Sequence, residues 1–471
     1  MSAPANRRPS LTEGPIARTL LMFALPILGS TVLQSMNASV NAMWIGHYLG
    51  ESALSAISNA NLILFLLLSA VFGISMACTI LIGQSLGARN MVEAKRVVGT
   101  SASFFIVISL VIALLSYLGT PWLLRQLGTP ADALPYAVPY LRIIFIALPA
   151  MYFYNFVMMT LRGAGDSRTP FVFMGLSVLL DIGLNPLLMF GIGPFPRMGI
   201  AGSAMSTLIA QSLTLLALLG TLYARKHFLR LTGTELRYLK PNPEILRSLI
   251  FKGLPMGLQM IVISSSSMLM MRLVNNYGSH TTAAYGAANQ LWNYVLMPAM
   301  AIGAAVSSMA AQNVGARLWE RVHRIARVGV LYNFLLSGSL ISLIILFNRS
   351  ALNLFLPGDS AAMDLAQHLN VIAVWSFMFL GVTFVLFGVV RATGAVWPPL
   401  IILFIATWLI RPPFALALMP SIGSDAIWWS FPLSSMISML MAITYYRLGG
   451  WRKAHMLSAP IETVAPIEAA K

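Results

Sequence analysis

Ionic side chains are scarce in this chain: 9% of its 471 residues are charged, and only 14 are acidic. A soluble globular protein gives about a quarter of its residues to charge, so a water-covered surface is excluded, and a soluble enzyme with it. The 58% share of hydrophobic residues excludes a disordered chain. Cysteine is nearly absent as well. Cys78 stands alone, so no intrachain disulfide can form, and its apolar surroundings read as simple packing. The six histidines are scattered and no two lie three or four residues apart, which argues against a metal centre on facing helices. No lysine-bearing phosphate loop is present, which disfavours an ATP-driven pump from this chain alone. Neither a cofactor nor a metal is therefore expected, and an integral-membrane enzyme is disfavoured. Met1 to Glu13 lack a small-residue cleavage pattern, so the first apolar run is expected to stay as a helix.

What remains is apolar sequence, with a mean hydropathy of +0.79. Runs long enough to cross a bilayer fall near 17–46, 53–83, 97–122, 134–161, 169–191 and 199–223, then 248–275, 283–312, 325–347, 362–390, 397–420 and 426–446. They are continuous rather than alternating, which favours helices over barrel strands. The expected fold is an all-α polytopic membrane protein of about 12 transmembrane helices in two pseudo-symmetric six-helix lobes around a central cleft. Its parts are an N-terminal tail (1–15), an N-lobe (16–223), a basic linker (224–247), a C-lobe (248–447) and a C-terminal tail (448–471). With the N-terminus in the cytoplasm, 24 of the 30 Lys and Arg residues fall in cytoplasmic tails, linker or loops, and only Arg125, Arg197 and Arg349 in the opposite loops. That bias places both termini and the linker inside, in a cell inner (plasma) membrane. The net charge of +16 thus reads as topology and not as nucleic-acid binding.

The halves repeat each other. Gln84-Ser85-Leu86-Gly87-Ala88-Arg89 returns 228 residues later as Gln312-Asn313-Val314-Gly315-Ala316-Arg317, and Leu25-Pro26 returns near 229 as Leu254-Pro255. Arg162-Gly163-Ala164-Gly165 matches Arg391-Ala392-Thr393-Gly394 at the same spacing. Six helices separate equivalent positions, so the repeats are parallel, which is a frame for alternating access.

These motifs carry a resemblance. The proline-bearing first helix with Gln34, Val40-Asn41, Gly46 and Gly50, and the two Gln-x-x-Gly-Ala-Arg turns, resemble multidrug and toxic compound extrusion (MATE) transporters. So do the Arg162-Gly163-x-Gly165-Asp166 loop and Leu184-Asn185-Pro186 with Gly191, Gly193 and Gly199-Ile200-Ala201-Gly202. The resemblance covers roughly residues 15 to 450, and the motifs stand in order. It implies a twelve-helix, two-lobed exporter of bulky, often cationic compounds, driven by a proton or sodium gradient.

Thirteen of the fourteen acids fall in tails, loops or helix ends; Asp181 alone lies within an apolar run. Intramembrane carboxylates are costly and usually serve an ion or substrate path; the bland alternative is a neutral carboxyl bonded between helices. Gln34, Asn37 and Asn41 recur on one face of helix 1, Asn185 follows Asp181 by one turn, and Asn155 lies on helix 4. These six residues are the expected proton and substrate site. Proton-coupled members of the family carry an acid at the place of Asn41, often with Asn and then Asp at the places of Asp181 and Asn185. This chain departs from that pattern, and helix 7 has no acid for the family's sodium arrangement. The expected function is therefore antiport of bulky cationic or amphipathic small molecules by a monomer, with protons favoured over sodium as the coupling cation. The alternative is a flippase for a lipid-linked or polysaccharide precursor, for which only Arg142, Arg272 and Arg411 offer cationic lining. Helix-7 methionines read as lipid-facing, and Trp428-Trp429 and Tyr445-Tyr446 as interfacial anchors.

Overall fold

The computed structural model describes residues 10–49, 51–126, 129, 133–356 and 361–457. Asp132, Asp359, Glu462 and Glu468, Gly50, and most of both tails lie outside the described residues. The chain is 86% helical, with no strand among the described residues, and twelve helices among them are long and apolar enough to cross a membrane. Helices satisfy their own backbone donors and acceptors, which lipid cannot do.

The first six helices are α1 (Ile16–Leu49), α2 (Glu51–Gly87), α3 (Met91–Gln126), α4 (Leu134–Gly163), α5 (Arg168–Phe190) and α6 (Ile200–Ala224). After a 3-10 turn at Gly233–Leu239 come α7 (Pro243–Asn275), α8 (Ser279–Gly315) and α9 (Trp319–Leu346). The short α10 (Asn348–Leu352), then α11 (Ala361–Ala373), α12 (Ser376–Thr393), α13 (Trp397–Phe404), α14 (Arg411–Ile422) and α15 (Asp425–Leu448) complete the order. Contacts divide the chain into two compact units. One holds residues 29–86 and 90–254; the other holds 1–28, 87–89 and 255–471. The divisions in α1 and α7 fall close to Pro26 and at Pro255, the repeat-equivalent prolines, each of which removes one backbone hydrogen bond from its helix.

In the first of these units α3 packs on α4, and α6 packs on both α4 and α5. Thr79 on α2 donates to the Met159 carbonyl of α4 at 2.9 Å, and Cys78 beside it is fully buried. At Gly202 a β-carbon would stand 2.6 Å from the Leu188 carbonyl, so only glycine lets α6 approach α5 this closely. The basic linker is ordered. Thr232 and Glu235 form a capping box on its 3-10 turn, Lys95 of α3 pairs with Glu235, and the Asn242 amide donates to Thr100 at 3.1 Å.

In the second unit α12 packs against α8, α9 and α15. The apolar run expected as one helix over 362–390 is broken. The Phe377 and Met378 amides turn back to the carbonyls of Val374 and Trp375, closing α11 and opening α12, so the spanning part is Ser376–Thr393. The run at 397–420 also changes pitch, to a π-helix over Ile405–Ile410. The Arg411 amide bonds the Ala406 carbonyl, five residues back. Pro412 and Pro413 follow without amide donors, so the regular pattern cannot continue through them. Ser266 of α7 braces this segment by donating to the Thr407 carbonyl at 2.6 Å. Two packing expectations are corrected here. Trp428 is fully buried in a core with Tyr285, Trp292 and Phe431, so of its pair only Trp429 is exposed; and among the helix-7 methionines Met256 and Met270 are buried while Met268 is exposed.

Candidate functional site around Asp181

Three helices of one unit converge on Asp181. The side chain is 3% exposed, yet no Lys, Arg or His among the described residues forms an ion pair with it. Its oxygens are met by hydrogen bonds instead. From α1, the Asn37 and Asn41 amides donate to Oδ2 at 2.8 and 3.0 Å. From α6, the Ser206 hydroxyl lies 2.6 Å from Oδ1 and 2.9 Å from the Ser203 carbonyl, the carboxylate being the nearer acceptor of its one proton. The Thr207 hydroxyl lies 3.3 Å from Oδ1 and 3.3 Å from the Ser203 carbonyl, so its one proton is shared between them. Hydrogen bonds of this type to an ionised acceptor are the strong ones.

Asn185, one turn along α5, locks the arrangement. It is fully buried, and its amide donates to Asn41 Oδ1 at 2.8 Å and to the Ser203 hydroxyl at 3.1 Å. Asn41 thus accepts from Asn185 while donating to Asp181, which fixes the orientation of its amide. Asn37 has no such lock. Its Oδ1 is buried without a donor, so turning the amide over would replace a donor to Asp181 by an acceptor.

The structure brings together four of the six expected residues: Asp181, Asn185, Asn41 and Asn37. Gln34 is exposed on α1, and Asn155 is half-buried on α4 with its Oδ1 unpartnered. Among the described residues no hydrogen bond joins either to the carboxylate. Sequence reasoning missed Ser203, Ser206 and Thr207. Their signal was present as hydroxyls at i, i+3 and i+4 on α6, but short polar residues are common wherever membrane helices pack. No group of three or more His, Cys, Asp or Glu among the described residues is placed to hold a metal ion.

Comparison with known proteins places this chain in a family. The MatE family profile matches residues 26–187 and 255–417, once in each sequence repeat and over more than half of the chain. The chain belongs to the MatE family. It is 38% identical to the probable multidrug resistance protein YoeA of Bacillus subtilis over 93% of this chain and 94% of that one. It is 24% identical to the probable multidrug resistance protein NorM of Thermotoga maritima, over 96% and 97% of the two chains. A crystal structure of MATE in complex with MaL6 superposes with a TM-score of 0.88 at 19% identity, covering 96% of this chain and all of that one. MatE proteins are transporters, so membership of this family sets the chain apart from enzymes.

Proposed function

We propose that this MatE protein is a secondary active exporter that moves bulky, cationic or amphipathic small molecules out of the cell in exchange for protons. Its relatives named as multidrug resistance proteins support the substrate class. The observation that carries the coupling is Asp181, the one buried carboxylate among the described residues, held by neutral donors and paired with no cation among them. Such a group takes its positive partner from outside the fold, either as a proton or as a cationic substrate. The two then compete, and competition for one site is a reciprocal coupling free energy.

Protons are favoured over sodium on chemical grounds. A hard cation needs several oxygen ligands, whereas Asp181 Oδ2 is faced by two amide nitrogens. Protonation needs only one new acceptor, and a turned-over Asn37 supplies it. Deprotonated Asp181 binds the cation from the cytoplasmic side, and protonation from outside releases it. Both termini and the linker are cytoplasmic in this scheme, the membrane is the cell inner membrane, and the monomer is the working unit. The test is accumulation of tetraphenylphosphonium in cells expressing wild type or Asp181→Asn, with and without a proton gradient. Wild type lowers accumulation only with the gradient and the variant does not; gradient-dependent export by the variant would refute the assignment.

A further inference from the structure

Asp181 and Arg411 are the two charged side chains that are buried among the described residues, at 3% and 7% exposure. They occupy equivalent places. The starts of α5 and α13, at Arg168 and Trp397, are 229 residues apart, as are Pro170 and Pro399 in their first turns. The π-helix at Ile405–Ile410 takes up one residue more per hydrogen-bonded turn than an α-helix. Beyond it the spacing becomes 230, which pairs Asp181 with Arg411.

The neighbours correspond too. Gly199 and Gly423 share one backbone conformation (φ 58°, ψ −134° and φ 61°, ψ −139°) just before α6 and α15. Counting from them, Thr207 corresponds to Phe431, Ser206 to Ser430 and Ala210 to Ser434. Thr207 lies against Asp181; Phe431 lies against Arg411, whose guanidinium carbon stands 4.6 Å from the ring centroid. From Pro26 and Pro255, Asn37 corresponds to Ser266 and Asn41 to Met270. The two amides that serve the acid are thus replaced by a hydroxyl committed to the Thr407 carbonyl and by a thioether.

The acid is well supplied with donors, but the cation is short of acceptors. Arg411 Nε donates to Ser434 Oγ at 2.9 Å. No other hydrogen bond and no carboxylate among the described residues serves a guanidinium that has five N–H groups to place. Tyr285, whose ring centroid lies 6.2 Å from that of Phe431, has a hydroxyl without a hydrogen bond among the described residues. Trp428, stacked on Tyr285 with centroids 5.9 Å apart, has a buried Nε1 without an acceptor. A cation within a membrane helix is expensive and marks a functional site by default; one left short of acceptors, in a core that also leaves the Trp428 Nε1 unmatched, calls for an anion. The π-helix beside it is a form frequent at functional sites.

We infer that Arg411, with Tyr285 and Trp428, binds the carboxylate of an aromatic, amphipathic ligand. A carboxylate offers two coplanar oxygens to the guanidinium fork, and Phe431, Tyr285 and the indoles supply aromatic walls. Such a ligand is an anionic or zwitterionic aromatic, and Arg411 would be where its carboxylate is held during export. This consequence for transport rests on the export reading above; the binding itself does not.

The experiment is isothermal titration of the purified full chain with 1-naphthoate and, as its uncharged counterpart, 1-naphthalenemethanol. No ion gradient is present, so failure of the coupling scheme leaves this result untouched. Wild type binds naphthoate saturably and the alcohol at least about tenfold more weakly, the discrimination expected of a charge-assisted pair. Arg411→Gln loses that preference, and Trp428→Phe, which removes one N–H and little volume, weakens naphthoate severalfold. Absence of naphthoate binding to wild type, equal affinity for the two probes, or undiminished naphthoate binding by Arg411→Gln would overturn the inference. Should Arg411→Gln not fold, Trp428→Phe decides: unchanged naphthoate affinity in it overturns the proposal.

Discussion

Asp181 on α5 receives hydrogen bonds from two amides and a serine, whereas Arg411, its counterpart 230 residues later, gives one to Ser434 and lies over the Phe431 ring. The two halves share turn glycines and proline positions, and the π-helix before Arg411 shifts the register by one residue without setting the polarity of the site. A few side chains set it: amides on α1 against a serine and a methionine on α7, and a threonine on α6 against a phenylalanine on α15. Repetition supplied the same buried position twice, and substitution set the sign of its charge and how fully it is satisfied. A satisfied carboxylate without a counter-cation suits a small exchangeable proton. An under-satisfied guanidinium among aromatics suits a larger anion.

The contrast can be broken most severely at Asp181. Asp181→Asn leaves a neutral amide among donors and is expected to reduce gradient-driven export of tetraphenylphosphonium by about tenfold or more, within the range of a coupling of this kind; vesicle uptake assays check it. Next comes the close approach that positions α6. In Gly202→Val the new β-carbon meets the Leu188 carbonyl at 2.6 Å, which overpacks the α5–α6 contact at a cost of about 1–3 kcal/mol. A lowered thermal midpoint and reduced transport are expected together.

Ser206→Ala sharpens the comparison without moving a helix. It removes one donor from the carboxylate, a bond worth about 1.5–3 kcal/mol. Gradient-driven export should fall severalfold, with protein level in the membrane unchanged. The smallest effect belongs to the linker. The hydrogen bond from Lys95 is the leading cause holding the Glu235 carboxyl below its ordinary range, with the Thr232 amide adding to it. The sign follows: the docked turn is favoured above the free carboxylate range and loosens as pH falls through the lowered value. Hydrogen exchange of residues 233–239 should therefore quicken on acidification in wild type and show little of that dependence in Glu235→Gln, with no measurable change in thermal midpoint.

Much of this was legible in the sequence because membranes are an exacting solvent. Asp181 stood out because an acid in an apolar run is rare, and Asn37, Asn41 and Asn185 because helical spacing put them on consistent faces. Gln34 shares the periodicity but is exposed, since spacing gives direction and not depth. Ser206 and Thr207 were hidden among the many hydroxyls that membrane helices use for packing. The break at Val374–Trp375 and the π-helix before Arg411 were hidden for another reason. Both occur in runs whose hydropathy is uninterrupted, and they depend on local turns and on Pro412-Pro413. Trp428 read as an interfacial anchor because of its place beside a helix end, and only tertiary packing shows it buried against Tyr285.

Competition between proton and cation at Asp181 is tested most directly by the proton released when tetraphenylphosphonium binds to the purified protein in weakly buffered solution. A pH-indicator dye reads it. Wild type should release protons on binding over the pH range in which Asp181 is protonated, and Asp181→Asn should release none. Equal release from both proteins, or none from wild type at any pH where the cation binds, would contradict the account.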